Sequence, residues 1–479
     1  MSLDLKPYPA YKDSGEKWLG QVPEQWDVVP LYAVAKPKSI AGKQDRELLS
    51  VYLDRGVIRF SDVEAKRTNV TSEDLSKYQA VDPGDFVLNN QQAWRGSVGV
   101  SAHTGIVSPA YLVLSLESKF QPEFANLLFR ERAMVSQYLI CSKGVGSIQR
   151  NLYWPYLKRA STVAPPLVEQ DAIVRFLDYM DARIRRYVRA KQKLIKLLDE
   201  QKQAIIDQAV TGQIDVRTGK PYPAYKDPGV EWLERVPKHW SSSPLKHWVK
   251  MNGAVLPETT SPSYEFRYID IGSVGTGVLS ERPVRICFAN APSRARRMTR
   301  RDDTIVSTVR TYLRAVYFID EDIEDLVCST GFAVLTPRTG VVPKFVRYVV
   351  QSRSFTDRVA ASSVGIAYPA IAETRLGSLH VATPPPPEQA AIVRFLEDAT
   401  PGADSAIAHA QHEIALLREY RTRLIADVVT GKLDVRKAAA NLPDEAEQPE
   451  PLADEDLLAD DSEVGETVQK EAALEEVEV

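Results

Sequence analysis

Apolar residues recur at positions 173, 177, 180, 184, 187, 191, 194, 198, 201 and 205, which read Ile, Leu, Met, Ile, Tyr, Lys, Leu, Leu, Gln and Ile. The spacing alternates four and three, the coiled-coil period. Pro165 and Pro166 bar an earlier helix start, and Gly212 is placed to end the helix in a left-handed cap. About 42 helical residues rising ~1.5 Å each predict a rod of roughly 63 Å. A second stripe reads Ile392, Leu396, Ala399, Ala403, Ala406, Ala410, Glu413, Leu417, Tyr420 and Leu424. Its middle is small, which permits close helix approach. Pro401-Gly402 interrupts it, so this helix is expected in two pieces. Heptads held this long usually find a partner helix, which predicts two rods lying side by side and antiparallel. The expected seam is Ile173, Leu177, Met180, Ile184, Tyr187, Leu194 and Leu198 with Ile392, Leu396, Leu417 and Leu424.

The two stripes belong to an internal repeat. PYPAYKDSGEKWLGQVPEQW (7–26) returns as PYPAYKDPGVEWLERVPKHW (221–240), identical at 13 of 20 positions, at an offset of 214. PPLVEQDAIVRFL (165–177) returns as PPPPEQAAIVRFL (384–396), identical at ten of 13, at an offset of 219. VTGQIDVR (210–217) returns as VTGKLDVR (429–436), again at 219. The helical stretch therefore keeps its length in both copies, whereas 27–164 and 241–383 differ by five residues and show little mutual similarity. Two different jobs on one shared frame account for this better than uniform drift. Both variable regions end in strand-like runs before proline, as mixed α/β modules would. The implied pseudo-two-fold predicts that a circular permutant opened near Thr218 folds and works.

Composition is that of a soluble globular chain: 479 residues, 44% hydrophobic and 26% charged. No stretch of 18 apolar residues exists, and the start MSLDLKPYPAYKD lacks the apolar core of a secretory signal. Cys141, Cys287 and Cys328 are too few and too scattered for a disulfide framework. A cytoplasmic, reduced location is expected. The net charge of −4 is uneven: residues 441–479 carry 15 acidic residues and one Lys, leaving the rest at +10. The body is basic, as suits a polyanionic partner. The tail, from about 438, is acidic and poor in aromatics, so disorder is its expected state.

Common catalytic signatures are missing. There is no phosphate-binding GxxxxGK[ST] loop and no HExxH or Cys/His cluster. His409 and His412 lie one helical turn apart without a third ligand nearby, which suits solvated surface groups. GSVGTG (272–277) lacks the following helix that a dinucleotide site requires. No metal site and no catalytic residue are assigned.

The layout resembles the specificity (S, HsdS) subunit of type I restriction-modification systems. Each variable region follows PYPAYKD-x-G-x-x-W-L-x-x-VP-x-x-W. Each helical region is entered through PP-x-x-EQ-x-AIVRFL and left through VTG-x-[IL]-DVR. The resemblance runs from residue 1 to about 437. It implies an α+β fold: two globular α/β target recognition domains joined by two long antiparallel coiled-coil helices in a pseudo-two-fold repeat. The implied segments are 1–164 (lead-in and first recognition domain), 165–214 (spacer), 215–383 (repeat and second domain), 384–437 (second spacer) and 438–479 (tail). It also implies a non-catalytic subunit that binds double-stranded DNA and reads a split asymmetric target. Two modification (methyltransferase) subunits would bring S-adenosylmethionine, and restriction subunits would bring ATP and Mg²⁺; the chain itself would hold no cofactor. The other readings are a coiled-coil scaffold with two binding domains and no nucleic acid, and an enzyme such as a nuclease with a scattered site.

Candidate DNA contacts come from amide-rich and Arg-bearing loops of the variable regions, since such groups match base edges. In the first region these are Asn89, Asn90, Gln91, Gln92 and Arg95, then Lys143, Ser147, Gln149, Arg150 and Asn151. Asp85 aligns with Asp303, which brings Ser307, Thr308, Arg310, Tyr312 and Arg314 to the matching place in the second. RARRMTRR (294–301) suits phosphates better than bases.

Overall fold

The computed structural model describes residues 5–53, 55–62, 74–145, 149–230, 232–365 and 368–443. The expected acidic tail lies outside these from residue 444. Its expected onset moves later: Arg436–Ala440 is helical, and Ala439 is buried in a core. The alanines of this segment give it an apolar face to pack. The chain divides into two units, Met1–Arg189 with Ile414–Val479, and Ala190–Glu413.

In the first unit, strands Asp27–Pro30 and Ser161–Ala164 pair antiparallel, so the variable region leaves and returns at one place. Its sheet runs in the order Ala35–Pro37, Tyr111–Leu116, Asp85–Asn89, Val98–Val100, all antiparallel. Helices Pro122–Phe129 and Arg132–Cys141 supply Phe124, Phe129, Met134 and Tyr138 to its core. Two small two-stranded sheets, one of them a hairpin, contribute to a lesser core around Val51, Val57 and Val87.

The second unit repeats this plan with different residues. Ser241–Pro244 pairs with His380–Thr383. The sheet order is Val249–Met251, Phe332–Pro337, Thr304–Ser307, Val316–Phe318, and helices Pro343–Gln351 and Arg353–Ala361 follow. A second four-stranded sheet contains one parallel pair, Glu265–Ile269 with Leu326–Ser329.

The repeated sequence blocks form the base of each unit. Trp26 is fully buried and its indole N–H donates to Glu169 at 2.9 Å. Trp240 is likewise buried and donates to Glu388 at 2.8 Å, as do Tyr222 at 3.0 Å and His239 at 2.8 Å. Burial alone would push the Glu388 carboxyl up, but these donors together hold it below the usual range. The neighbouring glutamine of each EQ pair ties the helix start to the variable region. Gln170 donates to the carbonyls of Lys119 and Pro165, both at 2.8 Å, and accepts from Gln121 N–H at 2.9 Å. Gln389 donates to Pro384 at 2.9 Å and accepts from Val342 N–H at 3.0 Å. The glycines of both VTG blocks have positive φ, 76° at Gly212 and 79° at Gly431. A Cβ would strike Pro237 and Trp240 at the first, and Pro23 and Trp26 at the second.

The first long helix is Leu167–Val210, 44 residues without interruption. The second is split into Pro386–Ala399 and Pro401–Val429. Thr400 caps one piece, and its carbonyl accepts from Ala403 and Asp404 to start the next, with Pro401 at a position that needs no donor. Ile173, Leu177, Met180 and Ile184 are buried, as are Ile392, Leu396 and Leu424, while Leu198 and Leu417 are half-buried. Tyr187 and Leu194 depart from the expected seam and are exposed; Val188 is buried instead. Tyr187 and Val188 fall on opposite edges of the stripe, and it is Val188 that packs inward. Within the first unit Asp181 pairs with Arg421. Within the second, Lys191 meets Glu413 at 2.6 Å and Lys202 meets Asp404 at 2.5 Å. No helix among the described residues is long and apolar enough to cross a membrane.

Candidate nucleic-acid interface

In the first unit the strand Asp85–Asn89 ends in a tight loop that closes on itself. Asn89 Oδ1 accepts from Gln91 N–H at 3.0 Å, and Trp94 Nε1 donates to the Gln91 carbonyl at 2.9 Å. A short 3-10 turn, Ala93–Arg95, is capped by Gly96 at φ 106°. The Arg95 guanidinium lies 4.7 Å over the Trp94 ring. Gln91 and Arg95 are exposed, and Gln92 and Asn90 are half-buried. Asn90 Oδ1 is buried with no hydrogen-bond partner among the described residues. Asn89 thus shapes the loop, while Gln91, Gln92 and Arg95 remain presented.

The second candidate loop joins the first. Ser142–Val145 pairs with Gln149–Leu152, placing Lys143 opposite Asn151 and Gly144 opposite Arg150. Leu152 N–H donates to the Asn90 carbonyl at 2.8 Å. Lys143 and Asn151 are exposed and Arg150 half-buried. The Lys143 ammonium donates to the Tyr156 hydroxyl. Ser147 and the Gln149 side chain lie outside the described residues.

The matching place in the second unit differs. Ser307 and Thr308 are buried, at 4% and 7% exposure. Their hydroxyls donate to the carbonyls of Val309 at 2.6 Å and Gly331 at 2.9 Å. Both hydroxyls are turned into the fold, which corrects the expectation that they are presented at the surface. Every residue of Thr304–Ser307 is buried because both faces of this strand are covered. What the loop presents instead is Arg310, Tyr312 and Leu313, the last two 56% and 53% exposed. Arg310 and Arg314 both adopt left-handed backbone, at φ 49° and 50°. Arg310 lies 5.0 Å over the Tyr368 ring, and Arg314 pairs with Asp357. This loop too is braced by its neighbour: Ile371 N–H donates to the Thr308 carbonyl at 2.8 Å, and Thr311 Oγ1 meets Ser363 Oγ at 2.8 Å. Leu313 and Tyr368 carried no signal in the sequence, since an exposed apolar side chain looks like a core one until the fold is known.

The arginine cluster is largely spoken for. Arg294 pairs with Asp270 at 2.7 Å, Arg297 pairs with Glu373, and Arg296 lies 4.6 Å over Phe288. Arg300 and Arg301 face solvent.

Beneath the loops the electrostatics diverge. Asp85 is buried against Lys38 at 2.5 Å, and Lys38 also meets Asp82 at 2.7 Å. Burial acts against the Lys38 charge, but these two carboxylates raise its pKa overall. Asp303 accepts from the Thr336 hydroxyl at 2.6 Å and from the Arg300 backbone N–H at 3.0 Å, and the Arg300 guanidinium stands 3.9 Å away. Burial pushes its carboxyl up.

No family model matches the chain. Over 281 residues it is 21% identical to the type I restriction enzyme EcoBI specificity subunit of Escherichia coli, spanning 58% of this chain and 59% of that protein. The match therefore covers less than two thirds of that relative's length. A solved chain described for complex assembly and conformational transition of the type I R-M system superposes with a TM-score of 0.58 at 17% identity. That match covers 86% of this chain and 99% of the other. The crystal structure of the HsdS subunit from Thermoanaerobacter tengcongensis gives a TM-score of 0.43 at 17% identity, over 86% and 98% of the two chains. The chain is similar in sequence to a type I restriction-enzyme specificity subunit and shares the fold of a type I restriction-modification chain.

Proposed function

We propose that this chain is the DNA sequence-specificity subunit of a type I restriction-modification complex. It reads a split, asymmetric target: residues 27–164 read one half and 241–383 the other. The observation that carries this reading is one topology, built on one Trp–Glu base, bearing two unlike loop tips. Base identity is read by side chains at groove edges, so unlike tips read unlike half-sites. Linking two weak readers multiplies their affinities only where the gap matches.

The long helices, 165–214 and 384–437, serve as the spacer, an antiparallel coiled coil. The ion pairs favour this direction, because the partner number falls from Glu413 to Asp404 as Lys191 gives way to Lys202. The frame is a pseudo-two-fold repeat that docks two methyltransferase subunits and, where encoded, restriction subunits. Catalysis, S-adenosylmethionine, ATP and Mg²⁺ belong to those partners.

The test is single-base methylation mapping of DNA from cells carrying the chain with its co-encoded methyltransferase. A split asymmetric motif that vanishes on deletion of this chain is expected. A contiguous motif, or methylation indifferent to deletion, would return the chain to a scaffold without nucleic acid.

A further inference from the structure

We infer that the second unit reads its half-site with a wedge: Tyr312 and Leu313 enter the base stack, and the DNA is recognised by how readily one step opens. This rests on the specificity reading above and assigns a mode of recognition to one of its two sites.

Of the five residues expected to make contacts there, Ser307 and Thr308 are buried and internally bonded and Arg314 pairs with Asp357, which leaves Arg310 and Tyr312 exposed. The exposed groups at the tip are apolar or cationic. Tyr312 and Leu313 are adjacent and more than half exposed, and Tyr368, whose ring lies under Arg310, is 67% exposed. An isolated exposed apolar residue needs no explanation, but an adjacent exposed pair at a braced tip does. The backbone supports the same conclusion. Arg310 and Arg314 flank the pair in left-handed conformation, which any residue with a Cβ disfavours. Contacts to Ser363 and from Ile371 hold the turn in this shape.

The chemistry fits duplex DNA better than a protein groove. Arg310 stands over Tyr368 as a cation at the rim of the apolar pair. Apolar side chains rimmed by arginine insert between base pairs and kink the duplex, and pyrimidine–purine steps open most easily. An aromatic ring stacks on any base, so selectivity comes from the cost of deforming the step.

The probe is a duplex bearing the mapped motif, with 2-aminopurine placed at successive positions of the half that changes when residues 241–383 are exchanged. It is titrated with the complex of the full chain and its methyltransferase. Fluorescence is expected to rise at one pyrimidine–purine step. The double substitution Tyr312→Ala, Leu313→Ala is expected to remove the rise and weaken binding about 10- to 100-fold. Tyr312→Phe is expected to keep both, because the ring remains. Specific binding by the parent complex with no rise at any position overturns the wedge, and that result does not depend on any variant folding. A double variant with rise and affinity unchanged also overturns it; if that variant assembles poorly with its partner subunits, the tip belongs to a protein contact. A parent complex without specific duplex binding overturns the specificity reading and the wedge together.

Discussion

The two loop tips occupy one place in one topology, yet they are built differently. In the first unit the residue that must turn left-handed is Gly96; in the second, Arg310 and Arg314 do so. The first tip shows amides and an arginine stacked on Trp94, the second an apolar pair beside an arginine stacked on Tyr368. The first stands over Asp85 paired with Lys38 at 2.5 Å, the second over an Asp303 held by two hydrogen bonds, whose carboxyl burial pushes up. Each loop closes its own hydrogen bonds and leans on a neighbouring segment, so its outer side chains can change without disturbing the sheet. The sheet sets where a tip points, and the tip sets what it meets.

The comparison can be broken most forcefully at the shared base. Trp26→Ala and Trp240→Ala each empty a fully buried indole site and are expected to cost about 3–5 kcal/mol, read by urea unfolding. Similar losses support equivalent bases, and tolerance of either one breaks the equivalence.

The tips come next. Arg95→Ala is expected to weaken DNA binding by about 1–3 kcal/mol and relax the motif only in the half read by the first unit. Relaxation in the other half would exchange the assignments of the two readers.

Backbone strain offers a smaller, sharper contrast. Gly96→Ala places a Cβ in ordinary contact with Val135 but forces a left-handed alanine, so a loss of about 1–2 kcal/mol is expected. Arg310→Gly relieves the same strain and is expected to raise stability by about 0.5–1 kcal/mol, the gain reduced by glycine's greater unfolded freedom. Equal signs for the two would show that the tips are not strained differently.

Acid gives the smallest effect. Hydrogen bonds from Arg217 and Arg436 hold the Asp215 and Asp434 carboxyls low, and Glu388 is low as well. Folded carboxylates with depressed pKa bind fewer protons than unfolded ones. Their contribution is therefore present above about pH 4 and lost as pH falls through the lower folded values. Asp303 is raised and acts oppositely: in the window just above pH 4, lowering the pH adds stability. Asp303→Asn is expected to remove that opposing slope in unfolding measured between pH 3 and 6. An unchanged profile would mean that Asp303 is compensated after all.

Much of the base was legible because its signals are local. Pro165-Pro166 and Gly212 bound the first helix as expected, and Pro401 splits the second. The recurrence of Trp and of the EQ pair marked them for a shared role, though not for the hydrogen bonds they make. Tyr187 was misplaced because spacing alone does not decide which of two adjacent residues at the edges of a stripe packs inward. Ser307 and Thr308 were misplaced because polarity suggested exposure, while the covered strand buries them.

By itself the sequence determined the repeat, the helix limits, the basic body and the division into a constant base and two variable regions. All of these follow from residue order, which sets periodicity, backbone permission and charge. Only the tertiary structure decided that 27–164 and 241–383 each hold a four-stranded sheet of matching order despite little sequence likeness, while several of their other strands pair differently. It alone showed which loop groups face solvent and which aspartate has a cation beside it. Those outcomes depend on hydrogen bonds and burial between residues far apart in the chain, where many different side chains satisfy the same sheet.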